Sequence, residues 1–147
     1  MAGTRVSREN LGAWILKCNP RVTDLTALME QGVATWCVQP NYRSALFAPG
    51  QPALLWVSGP AKAVPTPGIW ATGQLTGPAD WRPPSPADPP KYVVPLELTF
   101  LHAPLPRTVL VDHPALTALE VLNQPQMSNP SFATRAQYGA LQDLLND

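Results

Sequence analysis

The chain has 147 residues, the size of one domain, and 45% of them are hydrophobic, which excludes a wholly disordered chain. Nineteen are proline, about 13% against roughly 5% on average, too many for a helical bundle or coiled coil, so short strands joined by long loops are expected. Ten basic and ten acidic residues balance, which excludes a broadly basic nucleic-acid binder and leaves room for a local basic patch.

No run of about 18 apolar residues occurs, so no membrane-spanning helix is expected. Residues 1–11 carry Arg5, Arg8 and Glu9 without an apolar run, unlike a secretory signal. Two cysteines, Cys18 and Cys37, make no disulfide framework, and a reducing cytoplasm is the expected setting. Lysine occurs only at Lys17, Lys62 and Lys91; the bias to Arg, Ala and Pro reads as a GC-rich bacterial genome.

Residues 1–12 read as a mobile polar arm and residues 13–147 as a single domain. Residues 13–18 (AWILKC) form a compact apolar strand stopped by the Asn19-Pro20 turn signal. A short helix follows, capped by Thr23 or Asp24, with Leu25, Leu28 and Met29 at helical spacing and Gly32 at its end. Residues 33–47 keep no clean period. Residues 48–52 are a turn, residues 53–58 (ALLWVS) a second buried strand, and residues 69–76 a third, with Gly73 a candidate bulge. The proline-rich stretch 77–90 reads as a loop unable to pair.

Residues 91–101 alternate, with Val94, Leu96, Leu98 and Phe100 on one face, as a half-buried antiparallel strand does. Residues 109–111 read as a short strand, and Pro114 as the first turn of a helix carrying Leu116 and Leu119. The last helix is signed by a Thr134/Gln137 capping box and a Tyr138/Leu141/Leu145 stripe. Five or so short strands with interspersed helices predict an α+β domain built on a small curved or barrel-like sheet.

Two His and two Cys without ligand spacing predict no metal site. Phosphate-binding glycine motifs and the GxSxG elbow are absent. Cys18 beside Lys17 is a candidate nucleophile, with His102 as base, but nothing in the sequence brings His102 near it, and a free Cys completing an apolar strand is usually a small buried hydrophobe. Among five Trp, Trp14, Trp56 and Trp70 fall in strands and read as core, and Trp81 falls in the proline-rich stretch. Trp36 lies in the irregular segment ahead of Asn41-Tyr42, and on spacing alone a core position is the stronger reading for it. Aromatic rings flanking a flat ligand beside an amide are how proteins hold an extruded base.

Three blocks resemble the EVE domain, a PUA-like fold related to the YTH domains. Trp14-Ile15-Leu16-Lys17-Cys18-Asn19-Pro20 is similar to that family's W-L-F-K-S-E-P strand. Trp36, four residues, then Asn41-Tyr42 resembles its W-x4-N-Y. Pro49-Gly50 followed by Leu54-Leu55-Trp56-Val57-Ser58 resembles its turn and following strand. The resemblance implies a PUA-like β-barrel of five to six strands flanked by short helices. It also implies a non-catalytic reader of a modified base in DNA or RNA, needing no cofactor, metal or membrane, and acting as a monomer.

Carried onto matching positions, the base-binding pocket comprises Lys17, Cys18, Trp36, Asn41, Tyr42, Trp56 and Ser58. Trp36 and Tyr42 would stack, Asn41 and Ser58 would meet polar edges, and Lys17 would touch phosphate or serve as a structural charge. Arg43 and Arg21 are the other cations expected near it. Asn19, Val57 and Pro40 depart from the Glu, His and Arg common in the family, which implies altered base-edge reading and one phosphate contact fewer. Rival readings from the same residues are an enzyme on a nucleotide-like molecule with Cys18 as nucleophile, and an interaction module with a vestigial pocket.

Overall fold

The computed structural model describes residues 5–86 and 89–146. In chain order its elements are β1 (Leu11–Cys18), α1 (Leu25–Gln31), β2 (Thr35–Cys37), β3 (Pro52–Val57), β4 (Gly68–Leu75), β5 (Asp80–Arg82), β6 (Lys91–Pro106), α2 (Arg107–Val111), α3 (Glu120–Asn123), β7 (Ser131–Thr134) and α4 (Arg135–Leu145). A single 3-10 turn at Ser44–Leu46 lies between β2 and β3. The protein is α+β, with a mixed sheet of order β2-β6-β4-β3-β1-β7 and β5 added on β6.

β1 pairs in parallel with β3 and antiparallel with β7, which puts it inside the sheet, and side chains packed on it cover both of its faces. That is why β1 and β3 read as nearly unbroken apolar runs: a strand covered on both faces has no polar side. Trp14 and Leu16 of β1 meet Phe47, Ala53, Leu75, Val94, Leu96 and Phe132 in one core. Trp14 packs edge-on against Phe47 with ring centroids 4.8 Å apart, and its Nε1–H donates to Gln51 Oε1 at 2.8 Å. Ala13 and Ile15, on the opposite face of β1, join Leu54, Trp56 and Ile69 in a second core roofed by Leu110, Leu116, Leu119 and Leu141. The four helices are short, and the last three cover that outer face.

The ends of the sheet approach one another. Just beyond β2, the Gln39 N–H donates to the carbonyl of Asn129, which precedes β7, at 3.0 Å. The Asn129 side chain reaches β1, accepting from Lys17 N at 2.7 Å and donating to Lys17 O at 3.1 Å. One residue thereby ties β1, the exit of β2 and the entry of β7 together at the rim where the site forms.

The local signals at the helix ends are met. Asp24 Oδ1 caps α1 through Ala27 N at 3.1 Å, and Gly32 closes it at φ 81°, a conformation that favours glycine. Thr134 and Gln137 form the reciprocal capping box of α4. Other expectations are corrected. Residues 5–12 are docked: Val6 is buried in the inner core, and Asn10 is bonded to Arg5 O and Ser7 N; residues 1–4 of the expected arm lie outside the described residues.

Asp80-Trp81-Arg82 pairs with β6 despite its proline-rich surroundings, because the triplet itself contains no proline and keeps its amides. Gly73 is no bulge: a Cβ there would strike the Glu97 carbonyl, and the register shift lies between Ile69 and Ala71. Residues 109–111 are helical, following Pro106, which sits extended at the N-cap of α2. Leu116 and Leu119 are buried from consecutive turns, with Leu116 N bonded to His113 O and Leu119 N to Leu116 O. β7 follows Pro130 and carries no alternation, since all of Ser131, Phe132 and Ala133 are buried.

Candidate functional site

The end of β1, where the chain leaves the sheet at Asn19-Pro20, opens onto two clefts that share Lys17, Asn19 and Asn129 in their walls. The smaller, about 350 Å3, is formed between β1, β2 and the β5–β6 pair and includes Cys18, Thr35, Trp36, Cys37, Arg82 and Lys91. The larger, about 950 Å3, lies on the helix side and includes Arg21, Trp56, Ser58, Arg107 and the 125–129 segment.

Trp36 is half-buried in β2, opposite Val94 of β6, and packs against both the inner core and the Cys18 cluster. Its Nε1–H donates to Lys17 O at 3.2 Å, the same carbonyl that accepts from Asn129 Nδ2. The indole is thus held by one backbone atom whose position is set by Asn129. Arg82 Nη2 donates to Thr35 Oγ1 at 2.6 Å across the opposite wall.

The seven residues singled out by the sequence fall into three places. Lys17, Cys18 and Trp36 line the smaller cleft. Lys17, Trp56 and Ser58 line the larger one, where Trp56 is only 3% exposed and belongs mainly to the helix-side core. Asn41 and Tyr42 line neither. Asn41 Oδ1 accepts from Arg43 N at 2.9 Å and Ser44 N at 3.3 Å, capping the 3-10 turn. Tyr42 lies under the Arg5 guanidinium, 4.0 Å from its ring centroid, and its hydroxyl accepts from Arg43 Nε at 3.3 Å. Of the departures, Asn19 borders both clefts, whereas buried Val57 and exposed Pro40 border neither.

Arg43, expected near phosphate, is buried instead. It forms a bidentate pair with Glu120 at 2.6 and 2.8 Å and donates to Pro130 O at 3.1 Å. Burial holds the Lys17 ammonium below the ordinary lysine range, helped by the Arg43 charge and opposed by Glu120. Lys17 Nζ donates to Pro125 O at 3.4 Å, at the edge of hydrogen-bond reach, so its charge is little committed within the protein. Burial likewise pushes the Cys18 thiol up, against a Thr23 hydrogen bond, and His102 lines neither cleft, so the nucleophile and base weighed from the sequence are not assembled there. Among the described residues no three His, Cys, Asp or Glu gather to hold a metal.

Sequence reasoning missed Arg82, Lys91, Arg107 and Asn129. The first two were hidden in and beside a stretch read as unpaired loop. Together with Lys17 and Arg21, five of the ten basic residues border the two clefts, and none of the acidic ones does among the described lining residues. A neutral chain has concentrated half its positive charge on one rim.

Solved structures share this fold. A hypothetical protein from Leishmania major matches with a TM-score of 0.70 over 95% of this chain and 98% of that one, at 16% identity. Proteins from Pseudomonas syringae and Pseudomonas putida each match with a TM-score of 0.67 at 18% identity, over 90% of this chain and 99% of theirs. No protein-family profile matches the sequence, and no curated protein matches it. At these identities the likeness establishes the fold alone.

Proposed function

We propose that this protein is a nucleic-acid-binding module that takes a modified base of DNA or RNA into the Trp36 cleft, in a PUA-like barrel closed where Gln39 meets Asn129. The observation that carries the reading is the cleft itself. An indole fixed by its Nε1–H to Lys17 O walls a space of about 350 Å3 bordered by Lys17, Arg82 and Lys91 and, among the described residues, by no acidic side chain. That volume is at the small end of the roughly 300–1,000 Å3 typical of small-molecule sites, which suits one base with its sugar.

Stacking on Trp36 supplies affinity that tolerates any flat ring, while Asn19, Thr35 and the Cys37 thiol offer polar contacts to ring edges. Asn41 and Tyr42 support the 3-10 turn and take no part in the pocket. Both cysteines are free, in keeping with a reducing cytoplasm, and among the described residues no helix is long and apolar enough to cross a membrane.

The test is a binding screen over modified nucleosides and short oligonucleotides, followed by paired Trp variants. Losing one base–aromatic stack costs about 1–3 kcal/mol, a roughly five- to two-hundred-fold loss of affinity. Trp36→Ala should show that loss and Trp81→Ala none, since Trp81 is 56% exposed against Tyr92 of β6 and borders neither cleft. Trp36→Phe keeps most of the packing should the alanine variant unfold. Unchanged affinity in both Trp36 variants overturns the assignment.

A further inference from the structure

We infer that the larger cleft on the helix side carries the backbone phosphates of a single-stranded polynucleotide whose base occupies the Trp36 cleft. The ligand is therefore a strand of several nucleotides and not a free nucleoside. This inference rests on the base-binding reading above. The two clefts share Lys17, Asn19 and Asn129 in their walls, so both lie at the end of β1 and one strand bent around these residues would meet both.

The larger cleft is about 950 Å3, far beyond what one base fills. Its cations are Lys17, Arg21 and Arg107, and it has no acidic lining residue among those described. The Arg21 and Arg107 side chains make no hydrogen bond or ion pair among the described residues: each takes part through its backbone N–H alone, Arg21 to Asn19 Oδ1 and Arg107 to Pro67 O. Arg43 shows what a committed guanidinium looks like in this protein, buried and bidentate on Glu120. Two guanidiniums left unpaired beside a half-buried lysine are a site for an anion, and a guanidinium fork matches phosphate oxygens in pairs.

Ser58, Gln126 and Ser128 add neutral hydrogen-bonding groups to the same wall, as phosphate and sugar contacts require. Both clefts are concave and share one lip, so the geometry favours a flexible strand that can turn over that lip. A stiff duplex would have to be opened first.

The experiment uses the full chain and five probes: thymidine, 12-nucleotide single strands of dT and rU, an abasic 12-mer, and a 12-base-pair hairpin. Affinity is measured from 20 to 200 mM salt for wild type and for the Arg21→Ala/Arg107→Ala variant. The expected result is that both single strands bind far better than thymidine, and that the variant weakens them and the abasic strand alike. Its log K against log[salt] slope should be shallower by about 1.4, twice the roughly 0.7 per phosphate contact on single strands. The dT and rU arms separate DNA from RNA as the source of the phosphates.

Arg21 is exposed, so Arg21→Glu alone keeps the test if Arg107→Ala disturbs α2. An unchanged slope in the variant overturns the phosphate cleft, while a persisting loss with Trp36→Phe would leave the base pocket standing. Binding that depends on the two arginines but is indifferent to Trp36 overturns the base pocket and with it the path proposed here. Equal or tighter binding of the hairpin, or no binding of any strand at 20 mM salt, overturns the single-strand assignment.

Discussion

Removing the carboxylate of Glu120 should destabilise this protein more than any other single loss of a charge among its described residues. The Arg43–Glu120 pair is bidentate at 2.6 and 2.8 Å, and its side chains are only 8% and 14% exposed. Arg43 is further held by Pro130 O and the Tyr42 hydroxyl, and lies 5.2 Å from the Phe132 ring centroid. With Glu120→Ala the guanidinium stays buried without its counter-charge, which costs about 3–5 kcal/mol. For a chain of this size that is a fall in Tm of about 10–20 °C.

An apolar pair should behave differently. Arg43→Met/Glu120→Leu removes both charges together and should recover most of the loss, because replacing a whole buried pair by apolar side chains is often neutral or stabilising. Thermal melts followed by circular dichroism measure all three proteins. A Glu120→Ala shift of under about 3 °C, or a double variant worse than the single one, would refute the argument, since either means that the pair is solvated and its charges are not confined.

Three further outcomes follow from the same structure. A maleimide at neutral pH should label Cys37 and spare Cys18, which is 1% exposed with its thiol pushed up by burial; two labels per native chain would contradict this. Lys17 titrates below its ordinary 10.5 in the folded protein, so the unfolded chain holds more protons between the two values. Stability should therefore rise with pH across that alkaline window, and Lys17→Met should flatten the rise when urea midpoints are compared. Thr134→Ala removes the N-cap acceptor for Gln137 N and should cost about 1 kcal/mol; an unchanged melt would mean that α4 is held by packing alone.

What the sequence disclosed and what it concealed divide along the range of the interactions. β1, β3 and the caps of α1 and α4 are written in neighbouring residues: an apolar run between turn signals, an Asp three residues before the amide it accepts from, a Thr-x-x-Gln box. They were legible for that reason. β5 was not, because proline content argues against pairing over a window while the ladder needs only the three proline-free residues Asp80, Trp81 and Arg82.

Leu116 and Leu119 keep a spacing of three that a helix and a run of turns share. The site was half legible. Trp36, Lys17 and Cys18, all singled out from the sequence, line one cleft. Asn41 and Tyr42 follow Trp36 in the sequence but line neither cleft, Asn41 being bonded to the amides of Arg43 and Ser44. Asn129, which fixes the Trp36 acceptor, sits 112 residues from Lys17, and no local pattern announces such a contact.

The claim that Trp36 lines a base-binding cleft is tested most directly by watching the indole N–H signals of the five Trp residues in the wild-type protein. They are recorded by nitrogen–proton NMR during titration with the tightest oligonucleotide from the screen. The account predicts that the Trp36 Nε1–H, bonded to Lys17 O, and the Asn129 side-chain amide move together and saturably. The buried Trp14 Nε1–H, bonded to Gln51, should stay in place. Saturable shifts at Trp81 or Trp70 with Trp36 and Asn129 unmoved would contradict it and place the binding surface elsewhere on the sheet.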